Sequence, residues 1–315
     1  MDLITHLVVG ALIYIFTFQY FAPGILFYAV FFAILPDLDL FLAPLRRKLK
    51  SKYLEHRSGS HSYIMGILIS AIIGAFYSIF TQQSFFLVWI IGIIFYGIHI
   101  SLDLLNTTRI PCFYPISKKE YSFYVEKAGS SFTLLTSLIF IISYVLALRF
   151  SQNASIAIFI IYFYAYFNIV YYAYRIFSKI WISSHLNENQ KYFPGVLPTT
   201  YYIYESETTN NVLSLRLIKK SHVAREKVLY ENHVALTPIQ EILLKKSIEM
   251  CKRDYYHSKW TILPIFSQND GIISIRLFFI EPLFHSRAMY VQFDFNIYSE
   301  ELIASDQSFG RFNSN

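Results

Sequence analysis

Long apolar runs separated by brief polar breaks dominate the first part of the chain. No Asp, Glu, Lys or Arg occurs from Ser58 to Leu102, and Arg149 is the only one from Ala128 to Tyr174. The first 45 residues carry three such charges, Asp2, Asp37 and Asp39. Apolar runs of about 18 residues or more read as helices that cross a bilayer. The pattern predicts about six spans, roughly His6–Tyr20, Ile25–Leu42, Ser62–Phe80, Phe85–Leu105, Phe132–Arg149 and Ser155–Phe177. Ala22-Pro23-Gly24, Thr81-Gln82-Gln83-Ser84 and Ser151-Gln152-Asn153 supply the short breaks. The first span is short, which leaves a pair of re-entrant half-spans as the alternative for the start of the chain.

Beyond residue 178 the pattern changes to short segments rich in β-branched and aromatic residues. Thr200–Glu205, Val212–Lys219, Lys227–Ala235, Ile272–Ile280 and Met289–Tyr298 read as strands. Thr237-Pro238 opens a helix of about Pro238–Tyr256, with Thr as N-cap, Pro in the first position and Glu241 one place past the capping-box slot. Asn269-Asp270-Gly271 reads as a hairpin turn. No internal repeat is evident. The expected fold is therefore a polytopic α-helical membrane domain, residues 1–178, followed by a cytoplasmic α+β domain, residues 179–315.

Composition agrees with that division. Over 315 residues, 55% are hydrophobic, 19% aromatic and 15% charged, with a mean hydropathy of +0.40. Soluble domains carry about 25% charge, so an ordinary cytosolic enzyme and a disordered chain are both excluded. The net charge of +6 lies mostly in the apolar part and forms no long basic stripe, so it reads as topology and not as nucleic-acid binding. Cys112 and Cys251 stand apart and outside any metal-binding spacing.

The Lys and Arg residues orient the spans. One loop holds Arg46, Arg47, Lys48, Lys50, Lys52 and Arg57, and another holds Arg109, Lys118, Lys119 and Lys127, whereas the breaks near 22, 82 and 152 hold none. The positive-inside rule then places both loops and both termini in the cytoplasm, with the chain in the plasma or inner membrane.

The ionisable residues of the apolar block gather at that same face. His6 starts the first span, Asp37 and Asp39 end the second in Leu35-Pro36-Asp37-Leu38-Asp39, and His56 and His61 precede the third. His99 and Asp103 end the fourth, four positions apart and so on one helical face. Asp2 aside, these are all the Asp and His residues among the first 103. Carboxylates in a bilayer are costly alone, and their recurrence beside four histidines points to compensation around a cation. Imidazole with carboxylate suits a divalent transition metal, zinc or manganese before others, as one ion or two. Each residue also has an ordinary reading. His6 alone fits an interfacial residue, His99 and Asp103 fit an internal hydrogen-bonded pair, Asp37 and Asp39 fit a helix end, and His56 fits a solvated loop. Only the convergence favours a metal site.

In these segments the chain resembles the YdjM-like inner-membrane metal-dependent hydrolases, also described as LexA-binding and formerly a domain of unknown function. The resemblance rests on Thr5-His6, Leu35-Pro36-Asp37-Leu38-Asp39, His56-Arg57-Ser58-Gly59-Ser60-His61-Ser62, His99 through Asp103, Asn106-Thr107-Thr108-Arg109-Ile110 and Tyr114-Pro115. It covers about residues 5–120. Ser58 and Ser60 stand where the family has Gly and Thr, and Thr108-Arg109 where Pro and Gly are common; the histidines and aspartates are intact. The resemblance implies hydrolysis by metal-activated water. With the site at the membrane face, an amphiphilic phosphoester is the expected substrate. His6, Asp39, His56, His61, His99 and Asp103 are the expected metal ligands, with Asp37 as catalytic carboxylate, the roles of base and ligand being open between Asp37 and Asp39, and Arg57 as phosphate-binding cation. Glu126 is a spare carboxylate within reach in sequence.

Two other classes compete. A small transporter would place charges at several depths, not one face. A membrane-anchored scaffold would use its cytoplasmic domain to bind a protein partner, with Tyr201, Tyr202 and Tyr204 as an aromatic surface. Against that, the same tyrosines fit the domain's own core.

Overall fold

The structure is a computed structural model that describes residues 2–20, 22, 24–42, 59–150, 154–254, 260–283 and 287–312. It divides into two compact units, residues 1–176 and 177–315.

The first unit is all helical. Helix α1 (Leu3–Ile13) runs into a π-helical turn (Tyr14–Phe18), and α2 (Leu26–Ile34) runs into a 3-10 segment (Leu35–Leu42). Then come α3 (Tyr63–Thr81), α4 (Phe85–Leu104), α5 (Ser131–Phe150) and α6 (Ala154–Ser183). The last four are long and apolar enough to cross a membrane. The two expected spans at the start are replaced by shorter elements. Leu3–Phe18 is an apolar helix below spanning length, and α2 is closed by the 3-10 segment that contains Pro36.

Large apolar side chains point outward along the four long helices, among them Ile72, Phe76, Phe86, Ile139, Phe163 and Ile169. Such surfaces suit lipid and not water. Inward, Tyr28, Phe32, Val88, Ile91, Phe95 and Ile100 form one core between α2 and α4. A second core joins α1 to α5 and α6 through Val8, Leu12 and Tyr164. There a polar chain crosses the interface: Thr5 Oγ1 lies 3.1 Å from Ser137 Oγ, which lies 2.8 Å from the Tyr164 hydroxyl. Hydroxyls bonded between helices are a usual device where lipid offers no partners.

Two close approaches fix the spacing of the helices that matter below. A Cβ on Gly10 would stand 2.6 Å from Ala33 Cβ, and one on Gly66 would stand 2.5 Å from the Tyr96 ring. Only glycine lets α1 meet α2, and α3 meet α4, at those points.

The second unit holds two four-stranded antiparallel sheets. One has the order β1 (Gln190–Pro194), β2 (Thr200–Thr209), β3 (Val212–Ser221), β4 (Lys227–Ala235); the other β5 (Ile262–Asn269), β6 (Ile272–Phe279), β7 (Arg287–Asn296), β8 (Leu302–Arg311). Helix α7 (Pro238–Asp254) packs Leu243 and Cys251 on the alternating Ile273, Ile275, Leu277, Val291, Phe293 and Phe295. Five of these strands are the expected ones; β1, β5 and β8 are additional. The helix opens on a reciprocal cap: Thr237 Oγ1 accepts from Gln240 N at 3.2 Å, and Gln240 Oε1 accepts from Thr237 N at 3.0 Å. The side chain that fills the capping-box slot is therefore Gln240.

One hairpin of each sheet, β2–β3 and β5–β6, repeats a short local pattern, at different places in the two strand orders. These two hairpins turn on two residues of positive φ, Asn210-Asn211 and Asp270-Gly271. Thr209 then pairs with Val212 as Asn269 pairs with Ile272. From those positions Val212-Leu213-Ser214-Leu215-Arg216-Leu217 and Ile272-Ile273-Ser274-Ile275-Arg276-Leu277 run in step. Isoleucine exchanged for valine and leucine hides the repeat in the sequence while leaving its alternation intact. Tyr202 and Tyr204 lie in the core of this unit, and Tyr201 stands beside Tyr192 and His222.

Candidate metal centre

Five segments of the first unit meet at one polar cluster. Asp2 caps α1, its Oδ1 accepting from Thr5 N at 2.8 Å, and His6 follows within the first turn. Asp37 and Asp39 sit in the 3-10 segment, where residues two apart point in different directions. His61 precedes α3, which Ser62 caps through Ile64 N at 3.2 Å. His99 and Asp103 lie on the last turns of α4, and Asn106 follows. Residues 105–126 double back over this end, with short bridges from Asn106 to Glu126 and from Ile110 to Tyr121.

Four ligand atoms converge. His61 Nε2 stands 3.3 Å from Asp103 Oδ2, 3.5 Å from Asp37 Oδ1 and 3.4 Å from His99 Nε2. His99 Nε2 stands 3.7 Å from Asp37 Oδ1 and 4.0 Å from Asp103 Oδ2. Asp37, His61, His99 and Asp103 are all buried, and one donor atom from each lies within 4.8 Å of every other. Four donors at zinc-like bond lengths around one ion would be separated by about 3.3–3.6 Å. The observed spacings are those of a slightly open set of this kind.

The hydrogen bonds around the histidines aim their lone pairs inward. His99 Nδ1 is 2.8 Å from the Ala33 carbonyl oxygen. A carbonyl only accepts, so Nδ1 carries the proton and Nε2 presents a lone pair to the cluster. His61 Nδ1 is 3.1 Å from Ser60 Oγ, which itself donates to Asp39 Oδ2 at 2.6 Å. With its own proton on Asp39, Ser60 accepts from His61 Nδ1, and His61 Nε2 likewise turns its lone pair toward the cluster. Tyr96 holds the Ser60 backbone by donating to its carbonyl oxygen.

The carboxylates fit a cation as well. Asp37 and Asp103 each lie within 4.0 Å of the Nε2 atoms of His6, His61 and His99. Among the described residues Asp37 Oδ1 has no hydrogen-bond partner, although it is buried. Two carboxylates packed among neutral imidazoles would strongly repel each other, and a divalent ion between them removes that cost.

Of the residues expected to ligate, the structure brings His61, His99 and Asp103 into the set. His6 stands against it: its Nε2 is 3.2 Å from Asp103 Oδ1 and 4.0 Å from Asp37 Oδ2, and its ring stacks on His99. Asp39 lies one step back, behind His61, while Asp37 occupies the ligand position. The 3-10 segment turns Asp37 into the cluster and leaves Asp39 against Ser60 and His61. His56 and Arg57 lie outside the described residues. Glu126 is committed elsewhere, to Arg175 by two contacts of 3.1 Å and to the Tyr171 hydroxyl. Ser60 and Asn106 were given no role by sequence reasoning, yet Asn106 Nδ2 donates to Asp103 Oδ1 at 2.7 Å. Their only sequence signal is proximity to His61 and Asp103.

Comparison with known proteins agrees with this region of the chain. A family model described as YdjM inner membrane protein matches residues 1–177, and the chain belongs to that family. No curated protein and no solved structure matches it.

Proposed function

We propose that this member of the YdjM inner membrane protein family is a membrane-embedded metal-dependent hydrolase that cleaves a phosphoester of an amphiphilic substrate. The observation that carries the reading is the buried set Asp37, His61, His99 and Asp103, with both imidazole lone pairs turned inward. A bound divalent ion would supply an activated water and polarise a phosphoryl oxygen. Asp37 and Asp103 neutralise the ion, while Ala33 and the Ser60–Asp39 pair hold the imidazoles in their ligating tautomers. In the reaction, water forms a bond to phosphorus, the bond from phosphorus to the ester oxygen breaks, and the water's proton ends on the departing oxygen.

An amphiphilic substrate is favoured because the set lies at one end of apolar helices, where a head group and a tail meet different solvents. The Lys and Arg residues between 46 and 57, and between 109 and 127, place that end at the cytoplasmic face under the positive-inside rule. Both termini then lie in the cytoplasm, as does the second unit. Arg57 remains the proposed partner of the substrate phosphate.

The test is metal analysis and turnover on detergent-purified protein, wild type beside His99→Ala/Asp103→Ala. Stoichiometric transition metal that the folded double variant lacks, with hydrolysis of lipid phosphoesters by the wild type alone, is the expected result. Metal-free wild type after incubation with zinc and with manganese would remove the reading. So would metal-loaded protein inert toward phosphomonoesters and phosphodiesters of lipids.

A further inference from the structure

The cluster offers more donors than one ion uses. We infer that a second divalent cation binds beside the first, held by His6 Nε2, Asp37 Oδ2 and Asp103 Oδ1, so that both carboxylates bridge two ions. The inference rests on the reading that Asp37, His61, His99 and Asp103 hold a cation.

Each carboxylate divides its oxygens between two sides. Asp37 turns Oδ1 toward His61 and His99, at 3.5 and 3.7 Å, and Oδ2 toward His6, at 4.0 Å. Asp103 turns Oδ2 toward His61 and His99, at 3.3 and 4.0 Å, and Oδ1 toward His6, at 3.2 Å. Both outer oxygens face the same imidazole nitrogen, and Asp103 Oδ1 also accepts from Asn106 Nδ2 at 2.7 Å, which orients that oxygen.

The stacking of His6 on His99 fixes the spacing. Their ring centroids are 3.9 Å apart and their planes differ by 20°. Both Nε2 atoms point at the same two carboxylates, so ions on them lie about one ring spacing apart. Two-metal hydrolytic sites have separations of about 3.5–4 Å. All three side chains of the second position are buried, at 1%, 6% and 1% exposure for His6, Asp37 and Asp103.

The two positions differ in quality. The first has four protein donors and two imidazoles of fixed tautomer. The second has three, and His6 Nδ1 is buried without a hydrogen-bond partner among the described residues, so no described group behind the ring holds its Nε2 lone pair toward an ion. Metal ligands without such support bind about 10–100-fold more weakly. The second ion therefore loads last and leaves first, and its unfilled coordination positions face the substrate. Two divalent ions on two carboxylates leave the centre cationic, which suits an anionic phosphoester.

Manganese(II) is the probe, with full-length protein in detergent. Two ions per chain by mass spectrometric metal analysis, with an exchange-coupled electron paramagnetic resonance spectrum, are expected for the wild type. Limited chelation should remove one ion and leave an uncoupled signal. His6→Gln should hold about one ion per chain with no coupling, and His6→Ala should do the same. One uncoupled ion in the wild type, unchanged by either substitution, would overturn the second site and reduce His6 to a hydrogen-bond partner of Asp103, leaving the first site standing. No bound ion in the wild type would overturn both.

Discussion

The Ala33 carbonyl accepts the Nδ1 proton of His99 at 2.8 Å, and Ala33 is also the residue whose side chain leaves no room for a Cβ on Gly10. The contact that sets how closely α1 approaches α2 thus sits on the residue that orients a metal-ligating imidazole. Gly10→Val is expected to force the two helices apart and displace that carbonyl. Overpacking of this kind costs about 1–3 kcal/mol. The variant should melt lower in detergent and hold its metal more weakly, whereas Gly24→Ala, strained only by its positive φ and with open space around the new Cβ, should melt lower yet leave metal affinity unchanged. Equal metal affinity in Gly10→Val and the wild type would break the link between packing and the centre.

Asp39 acts on the centre through Ser60 and His61. Removing either support frees His61 to turn or to change tautomer without deleting a ligand. Asp39→Asn and Ser60→Ala are each expected to weaken metal binding about 10–100-fold while keeping full occupancy at saturating metal. Competition with a chromogenic chelator reads this directly. A loss of stoichiometry in Asp39→Asn would instead make Asp39 a ligand.

The site and the fold were legible in the sequence to different degrees. His99 and Asp103 could be paired because helical spacing alone places them on one face. His61 could be joined to them only by topology, since the long segment between them returns along α3 and α4. Which of Asp37 and Asp39 faces the cluster was not legible, because a Pro-containing 3-10 segment and an α-helix present the same residues at different angles. The shape of the first two expected spans was not legible for a related reason. Hydropathy registers apolar length, and it does not register that the Ala22-Pro23-Gly24 break and the 3-10 segment shorten what is helical. In the second unit, β1, β5 and β8 lack continuous β-branched runs and are held as strands by pairing with stronger neighbours.

Glu126 and Arg175 form a buried bidentate pair, joined by Tyr171. Arg175→Met leaves the carboxylate uncompensated, which typically costs 3–5 kcal/mol for a buried pair. Arg175→Met/Glu126→Leu should recover most of that loss. Metal content per folded chain should match the wild type in both, because neither side chain reaches the centre. Thermal unfolding with metal analysis tests this, and a metal-free folded double variant would place Glu126 in the site after all.

Lys127 is buried next to Glu126, and burial lowers its pKa from 10.5 to about 8 although the neighbouring carboxylate opposes the shift. Between these values the unfolded chain holds a proton that the folded chain has released. Stability should therefore rise with pH across that window, by at most about 1.4 kcal/mol per unit. Lys127→Met removes the contribution. Relative to this variant, the wild type should gain in melting temperature between pH 7.5 and 9.5. A difference that is constant with pH would show that Lys127 keeps its proton in the folded state.

Metal removal should separate the centre from the rest of the fold. An ion present at 100 times its dissociation constant stabilises the folded state by about 2.7 kcal/mol. Stripping it also leaves Asp37 and Asp103 buried together, with histidines as their described ion-pair partners. Chelation is therefore expected to lower the melting temperature of the wild type and not that of Asp37→Asn/Asp103→Asn. The order of stability should also reverse. With metal the wild type should be the more stable, because only it binds the ion. Without metal the double variant should be, because its amides need no counter-charge. A wild type whose melting point is unmoved by verified loss of metal would mean that the carboxylates are compensated by protonated histidines, and that the ion is not what the cluster was built to hold.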